Sequence, residues 1–457
     1  MTQLKGKFVL VLGLGETGLS MLRWLYAQGA RLRVADSRSA PPGLAEAARH
    51  VDAAQILCGP FSVSMFDGVE LIAISPGIPL RDPVVANGVA RGIPVVGDIE
   101  LFAQGLSTTN PPKVLAITGS NGKTTVTSMV EHLCRTAGKD AVAAGNISPA
   151  VLDAVAARGT KQPEIWVLEL SSFQLETTIS LNADAAAVLN VSEDHLDRYR
   201  SMDEYAAAKA RILSGCAAQV LNRDDARCME MALLGREVIT FGLDAPRNKQ
   251  DWGIERDGDH IWLMQGSEHL LKASELQVAG LHNVANALAA LALCRAIGLP
   301  LPALLDALRS FKGLPHRVQR VAEVDSVVYY DDSKGTNVGA TVAALQGLGR
   351  KAVLIAGGEG KGQDFAPLNP AVAQHARAVV LIGRDAPLIE AALHGCGVPL
   401  LRASDMDDAV QQAARLVQRG DAVLLSPACA SFDMFRNYAH RAEVFVAAVH
   451  GLHKEAA

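Results

Sequence analysis

At 457 residues, 49% hydrophobic and 20% charged, the chain is long enough for several packed cores and has no disorder-promoting bias. A formal net charge of −5 excludes the broad basic face of a non-specific nucleic-acid binder, so any anionic ligand is held by local groups. The seven cysteines form no C-x-x-C pair and no histidine cluster stands near them, which excludes a disulfide framework or zinc site and suits a reducing cytoplasm.

Lys5 and Lys7 precede the apolar run FVLVLGLG, but Glu16 and Arg23 interrupt it too early for a secretory segment. No stretch reaches membrane-spanning length. The run reads as a buried first strand, and no membrane insertion is expected. Short apolar runs then alternate with helical-period segments along the whole chain, the pattern of parallel α/β sheets. KFVLVLG is a strand, followed by a helix with Leu19, Leu22 and Leu25 on one face that ends near Gly29. Further strands are expected at RLRVAD, LIAISPG and PVVGD. Gly13, Gly15 and Gly18 spell G-x-G-x-x-G between strand and helix, and Asp36 closes the next strand. Glycines allow the tight turn, and the helix N-terminus offers free N–H groups to a phosphate. A plain strand-to-helix turn is the alternative. The motif does not choose among NAD, FAD and a UDP-sugar, and by itself it favours an oxidoreductase.

STTNPP (107–112) reads as a hinge. A second unit opens with KVLAITGSNGKTT. Its loop Thr118–Thr125 lies between a strand and a helix whose Val126, Met129, Val130 and Leu133 share a face. Backbone N–H groups around Gly119, Asn121 and Gly122 can wrap a polyphosphate, Lys123 adds charge, and the Thr124 hydroxyl, followed by Thr125, can reach magnesium. Ile117 occupies the place of the first glycine in the general phosphate-loop pattern, and Gly119 comes two residues later. Strands IWVLEL and AAAVLNV follow, then a less regular stretch around 215–280 and a helix from near His282. Glu169, inside IWVLEL, reads either as a magnesium ligand or as a strand-end residue facing water. His195, in SEDHLDRY, follows a strand end, where α/β ligand sites form, or is an ordinary loop histidine. Ser201 and Glu204 suggest a capping box, placing Lys209 on a helix face with Tyr205 and Ile212. From spacing alone, the plainer account of Lys209 is a snorkelling surface lysine.

FKGLPHR (311–317) reads as a second hinge, because Gly313 and Pro315 block helix continuation. The third unit has strands SVVYYD, KAVLIAGG, AVVLIG and DAVLLSP. Asp332, Ser333, Lys334 and Thr336 follow the first, Lys361 the second, and Ser426 and Ser431 the last. With His316 and Arg317 at the hinge, these suit an anionic substrate beside a nucleotide.

TGSNGKTT, LELSSFQLE, NVSEDHLDRY, GLPHR, DDSKGTN, GGEGKGQDF and SPACASFDMF together resemble the Mur ligase family over essentially the whole chain. GLGETG and SPACASFDMF point to the branch that adds D-glutamate. The resemblance implies an α/β fold of three domains: a Rossmann-like UDP-sugar domain (1–108), a central P-loop ATPase-like domain with a mostly parallel sheet (109–313), and a Rossmann-like amino-acid domain (314–457). It implies UDP-substrate contacts from Gly15, Glu16, Thr17, Asp36, Arg38, Ser75, Pro76, Gly77 and Asn146. ATP contacts would come from Gly119, Asn121, Gly122, Lys123, Thr124, Thr125, Asn283, Asn286, Arg317 and Asp332. His316, Thr336, Lys361, Ser431, Phe432 and Tyr438 would position D-glutamate. Two magnesium sites would use Thr124, Glu169, His195 and a carbamylated Lys209, while Lys123, His195, Lys209 and Lys334 would serve catalysis. Phe432 stands where the family pattern also has leucine, and Gly335 and Tyr438 vary similarly. The implied reaction passes through an acyl phosphate, with closure at 311–317, in a cytoplasmic monomer whose partners are small molecules. The rival classes are a nicotinamide-dependent oxidoreductase, which would use no ATP, and a nucleotide-binding switch without ligase activity.

Overall fold

The computed structural model describes residues 4–106, 109–195, 197–258 and 260–455; positions 107 and 108, where the first hinge begins and the first expected boundary falls, lie outside them. The chain packs as two compact units. One comprises Met1–Asn190, Asp203–Phe241 and Ala289–Ala307, the other Val191–Met202, Gly242–Leu288 and Leu308–Ala457.

The first unit holds two parallel sheets. Strands β1 (Phe8–Leu12), β2 (Arg31–Asp36), β3 (Ile56–Cys58), β4 (Leu71–Ile74) and β5 (Val95–Val96) run in the order β3-β2-β1-β4-β5. Val9, Leu10, Val11 and Leu12 have no exposed surface, as a strand covered on both faces requires. Each such side chain contributes about 1.5–3 kcal/mol of burial. The expected helix forms as Glu16–Ala27, with Met21, Leu22 and Leu25 inward. The strand order reverses beside β1, the place where α/β sheets open a crevice.

The second sheet has β6 (Lys113–Thr118), β7 (Ala141–Gly145), β8 (Ile165–Glu169), β9 (Ala185–Val188), β10 (Ala218–Asn222) and β11 (Glu237–Phe241). Its parallel part runs β11-β10-β9-β6-β8-β7. Val126, Met129, Val130 and Leu133 are fully buried along the helix Lys123–Thr136, which returns over this sheet. The helix Asp98–Gly105 joins the two sheets: Phe102 meets Trp166 edge-on at 5.3 Å, and Glu100 accepts from the Ile179 and Ser180 N–H groups at 2.7 and 2.9 Å.

In the second unit, β12 (Trp252–Asp257), β13 (His260–Gln265) and β14 (Glu268–Lys272) form an antiparallel meander. A sheet of β15 (Gln319–Val324), β16 (Val327–Asp331), β17 (Ala352–Gly357), β18 (Ala376–Ile382), β19 (Leu400–Arg402) and β20 (Ala422–Leu425) runs β15-β16-β20-β17-β18-β19. Only β15 is antiparallel. The irregular stretch of the sequence thus resolves into β10, β11 and the meander. Strands β3, β7, β15 and β19 carried no readable signal: β3 and β19 have three residues each, β7 is AVAAG, and β15 is half exposed.

Candidate active site

At the crevice of the first sheet, Gly13 has φ +90°, and a Cβ at Gly18 would stand 1.8 Å from the Gly13 carbonyl oxygen. Both positions therefore require glycine. Gly15 precedes the helix whose first residues are Glu16 and Thr17. Ser75, Pro76 and Gly77 follow β4, the neighbour of β1, and the Ser75 hydroxyl donates to Gly13 O at 3.3 Å. Asp36 is buried at the end of β2. Its carboxylate accepts from Leu14 N–H at 2.8 Å and from the Arg38 guanidinium at 2.8 and 2.7 Å, which holds it down at about 2. The carboxylate is thereby committed to the turn, while Arg38 stays half exposed at the crevice edge.

The phosphate loop is braced from beneath. Gly119 (φ +155°) leaves room for Leu189, whose Cβ would lie 3.0 Å from an added methyl group, and Gly122 (φ +83°) opens the helix. Ser120 N–H donates to Asn190 O at 2.9 Å, and Asn121 N–H donates to Asn190 Oδ1 at 2.8 Å. Lys123 Nζ donates to Gly119 O and Ser120 O, both at 2.8 Å. Lys209 Nζ donates to the same Gly119 O at 2.8 Å and lies 4.4 Å from the centre of the Tyr205 ring. Lys209 is 1% exposed, which overturns the surface-lysine reading. Spacing showed only that it shared a face with Tyr205 and Ile212, and that face turns inward. Thr124 and Thr125 follow in the first turn of the helix.

Glu169 pairs in register with Ile117 and with Gly145, so it sits at the sheet edge from which the phosphate loop leaves. It is buried, contrary to the alternative of a strand end facing water. Its Oε1 accepts from Asn146 Nδ2 at 2.8 Å, while Oε2 is buried with no hydrogen-bond partner. An orphaned carboxylate oxygen beside a phosphate loop fits a hard cation completed by phosphate oxygens and water. Among the described residues, no group of three or more His, Cys, Asp and Glu side chains could hold a metal unaided.

In the second unit, His195 adopts φ +57°. The carboxylate of Asp194 accepts from His195 N–H at 2.9 Å and from Asn337 Nδ2 at 3.3 Å, tying the histidine segment to the loop after β16. Asn286 Nδ2 donates to Asn283 Oδ1 at 3.1 Å on the helix Leu281–Ala296. His316 Nδ1 lies 2.7 Å from Asp331 Oδ2, and Tyr438 packs edge-on to its ring. Lys334 Nζ stands 3.8 Å over the centre of the Tyr438 ring. Buried Asp332 accepts from Ser426 Oγ at 2.7 Å. Burial pushes its carboxyl up to about 7, against the pull of that bond and of the Arg317 charge.

Strands β16, β20 and β17 are adjacent and parallel, so the loops bearing Lys334 and Thr336, Ser431 and Phe432, and Lys361 leave one edge of one sheet. Glu359 and Ala430 exchange two backbone bonds of 2.9 Å, which locks two of these loops together. Lys361 and Phe432 are exposed there, and Ser431 is buried. Sequence reasoning missed the residues that hold this edge. Gln363 Nε2 donates to Ala428 O at 2.7 Å while its Oε1 accepts from Val338 N–H at 2.9 Å. Fully buried Arg441 donates to Ser333 Oγ, Ser333 O and Cys429 O at 2.8–3.1 Å. An arginine and a glutamine in polar stretches read as solvated, so no signal in the sequence marked them.

A dinucleotide-type crevice, a phosphate loop with an orphaned acid, and a polar loop cluster on a third sheet define a nucleotide-using α/β enzyme of several domains. Family models match at residues 7–97 (Mur ligase MurD-like, N-terminal domain), 117–294 (Mur ligase middle domain) and 316–429 (Mur ligase, glutamate ligase domain). The chain belongs to the Mur ligase family. Relatives named UDP-N-acetylmuramoylalanine–D-glutamate ligase are 58% identical in Nitrosomonas europaea (97% of this chain, 96% of the relative) and 58% identical in Methylobacillus flagellatus (100% and 99%). The fold is shared with the crystal structure of a UDP-N-acetylmuramate–alanine ligase from Thermotoga maritima. That match has a TM-score of 0.59 and 20% identity, and covers 97% of this chain and 99% of the other. Among the described residues, no helix is long and apolar enough to cross a membrane.

Proposed function

We propose that this protein joins D-glutamate to UDP-N-acetylmuramoyl-L-alanine with ATP, releasing ADP and phosphate, in peptidoglycan precursor synthesis. The observation that carries the reading is the phosphate loop, where Lys123 and Lys209 meet at Gly119 O and Glu169 keeps one buried oxygen unpartnered. Near-full-length relatives with this activity in their names support the choice of substrate.

The crevice of residues 1–108, with Gly15–Thr17, Asp36, Arg38 and Ser75–Gly77, takes the UDP end, and Asn146 the muramoyl part. Residues 109–313 hold ATP along Gly119–Thr125, with Asn283, Asn286, Arg317 and Asp332 assigned to the nucleotide as well. Residues 314–457 supply the amine, held through His316, Thr336, Lys361, Ser431, Phe432 and Tyr438. An alanyl carboxylate oxygen attacks the γ-phosphorus, the bond from that phosphorus to the ADP oxygen breaks, and an acyl phosphate forms. The neutral amine of D-glutamate then attacks the acyl carbon. The tetrahedral intermediate loses phosphate, and the nitrogen loses its proton. Lys123 neutralises the phosphoryl oxygens and Lys334 the substrate carboxylates, so positioning and charge supply most of the catalysis. Thr124 and Glu169 would hold one magnesium ion, and His195 and Lys209 would serve a second; magnesium there would offset charge on the phosphates. Carbamylation of Lys209 suits its setting. Two ammonium groups donating to one carbonyl repel; loss of a proton from the Lys209 ammonium gives the neutral amine, and addition of carbon dioxide to its Nζ with loss of a second proton gives a carbamate anion.

The test is phosphate release with ATP and UDP-N-acetylmuramoyl-L-alanine, comparing D-glutamate with L-glutamate and other amino acids. Release only with D-glutamate is expected, and Lys123→Ala should lower it on the order of a hundredfold or more. Equal release with L-glutamate would refute the substrate assignment.

A further inference from the structure

Helix Asp98–Gly105 belongs to the first sheet's fold, yet its first residue reaches the second sheet. Asp98 is 1% exposed and accepts from Gln174 Nε2 at 3.0 Å, while its Oδ1 is buried without a partner. Gln174 is also buried, and its other amide end is occupied: Oε1 accepts from Ser171 N–H at 3.1 Å, while the Gln174 backbone N–H donates to Ser171 Oγ at 3.2 Å. These two bonds form a capping box that starts the turn Ser172–Leu175.

A primary amide has one accepting and one donating end. The Ser171 bond demands the oxygen end, so the NH2 end must face Asp98, and an acceptor there selects the single orientation that keeps the box intact. The cap of that turn, Ser171, lies two residues after Glu169. Its preceding residue, Leu170, accepts from Thr118 Oγ1 at 2.8 Å and donates to Ile117 O at 2.8 Å, the two residues that lead into the phosphate loop.

We infer that Asp98, from the domain assigned to the UDP-sugar, is a positioning residue for the nucleotide site, acting through Gln174 on the turn that aims Glu169 and anchors the entry to the phosphate loop. The inference rests on the proposed ATP site. Glu100, two residues on, provides the contrast. It clamps the same two sheets by accepting from Ile179 N–H, Ser180 N–H and Ser180 Oγ, and it also accepts from Gln104 Nε2 on its own helix.

The experiment is calorimetric titration of the full chain with magnesium and a non-hydrolysable ATP analogue, alongside thermal unfolding. Asp98→Ala and Gln174→Glu are each expected to raise the Kd about tenfold, the second by setting two carboxylates face to face. The reversed pair D98N/Q174E restores a donor opposite an acceptor, and its Kd should return to within about threefold of wild type. Glu100→Gln should lower the melting temperature and leave the Kd unchanged. Wild-type-like binding by both Asp98→Ala and Gln174→Glu overturns the inference alone, as does failure of the reversed pair to recover affinity. An equal loss from Glu100→Gln overturns it too, because general loosening between the sheets would then explain the effect. If the wild-type chain binds no nucleotide, the reading of the phosphate loop fails first.

Discussion

Among the described residues, five non-glycine residues in or beside the candidate site hold left-handed backbone: His195 at φ +57°, His316 at +62°, Val318 at +49°, Lys361 at +53° and Ala428 at +58°. Each costs about 1–3 kcal/mol and persists only where its surroundings hold it. At His195 and His316 those surroundings are visible, since a carboxylate accepts from the backbone N–H of the first and another lies 2.7 Å from the ring of the second. Asp332 is a second kind of held residue, a buried acid pushed up to about 7 from its ordinary 3.8. Because the folded state binds its proton more tightly, its contribution to stability is fully present below the ordinary value and is lost as pH rises towards about 7. Wild type should therefore lose stability relative to Asp332→Asn as pH rises through that interval and run parallel to it above. Urea unfolding of both proteins at a series of pH values checks this, and a constant difference would refute it.

Among the elements, the helix Val338–Gly347 shows how one side chain can serve two purposes. Asn337 Oδ1 caps it by accepting from Ala340 N–H at 2.9 Å, and Nδ2 donates to Asp194 at 3.3 Å. Asn337→Asp keeps a capping oxygen but points a carboxylate at Asp194, whereas Asn337→Ala loses both bonds. The aspartate variant should unfold close to wild type yet release phosphate about tenfold more slowly, while the alanine variant should lose about 1 kcal/mol of stability as well. Unfolding curves and phosphate assays on the pair separate the two functions of this residue. If the aspartate variant kept full activity, Asp194 would have no part in holding the histidine segment.

At the scale of the molecule, each sheet gathers its own candidate residues because parallel strands deliver their following loops to one edge of that sheet. The crevice residues leave β1, β2 and β4; Asn146, Glu169 and the phosphate loop leave β7, β8 and β6; the third cluster leaves β16, β17 and β20. Within the first unit, the two sheets are joined by charged as well as apolar contacts, including Arg23 to Asp153 at 2.6 Å and Glu100 to Ser180 Oγ at 2.7 Å. Glu100→Ala strands the Ile179 and Ser180 N–H groups. It is expected to cost about 1–3 kcal/mol and to broaden or split the unfolding transition of this unit in scanning calorimetry. An unchanged single transition would show that the apolar contacts suffice.

The alternation of apolar runs with helical faces determined the α/β class, because a strand covered on both sides must be hydrophobic throughout. The glycine turn and TGSNGKTT likewise marked the two proposed phosphate sites, since only glycine tolerates those backbone angles and close approaches. Short or half-exposed strands such as Ile56–Cys58 and Gln319–Val324 escaped, for their pairing is decided by neighbours distant in sequence. The same holds for the polar residues of the interior. Lys209, Asp98, Gln174 and Arg441 look like solvated side chains in a linear reading, and only the packed structure supplies the carbonyls, amides and rings that make their burial affordable. Local chemistry thus pointed to the loops proposed to bind phosphates, while the groups that hold those loops in shape became visible only when remote segments met.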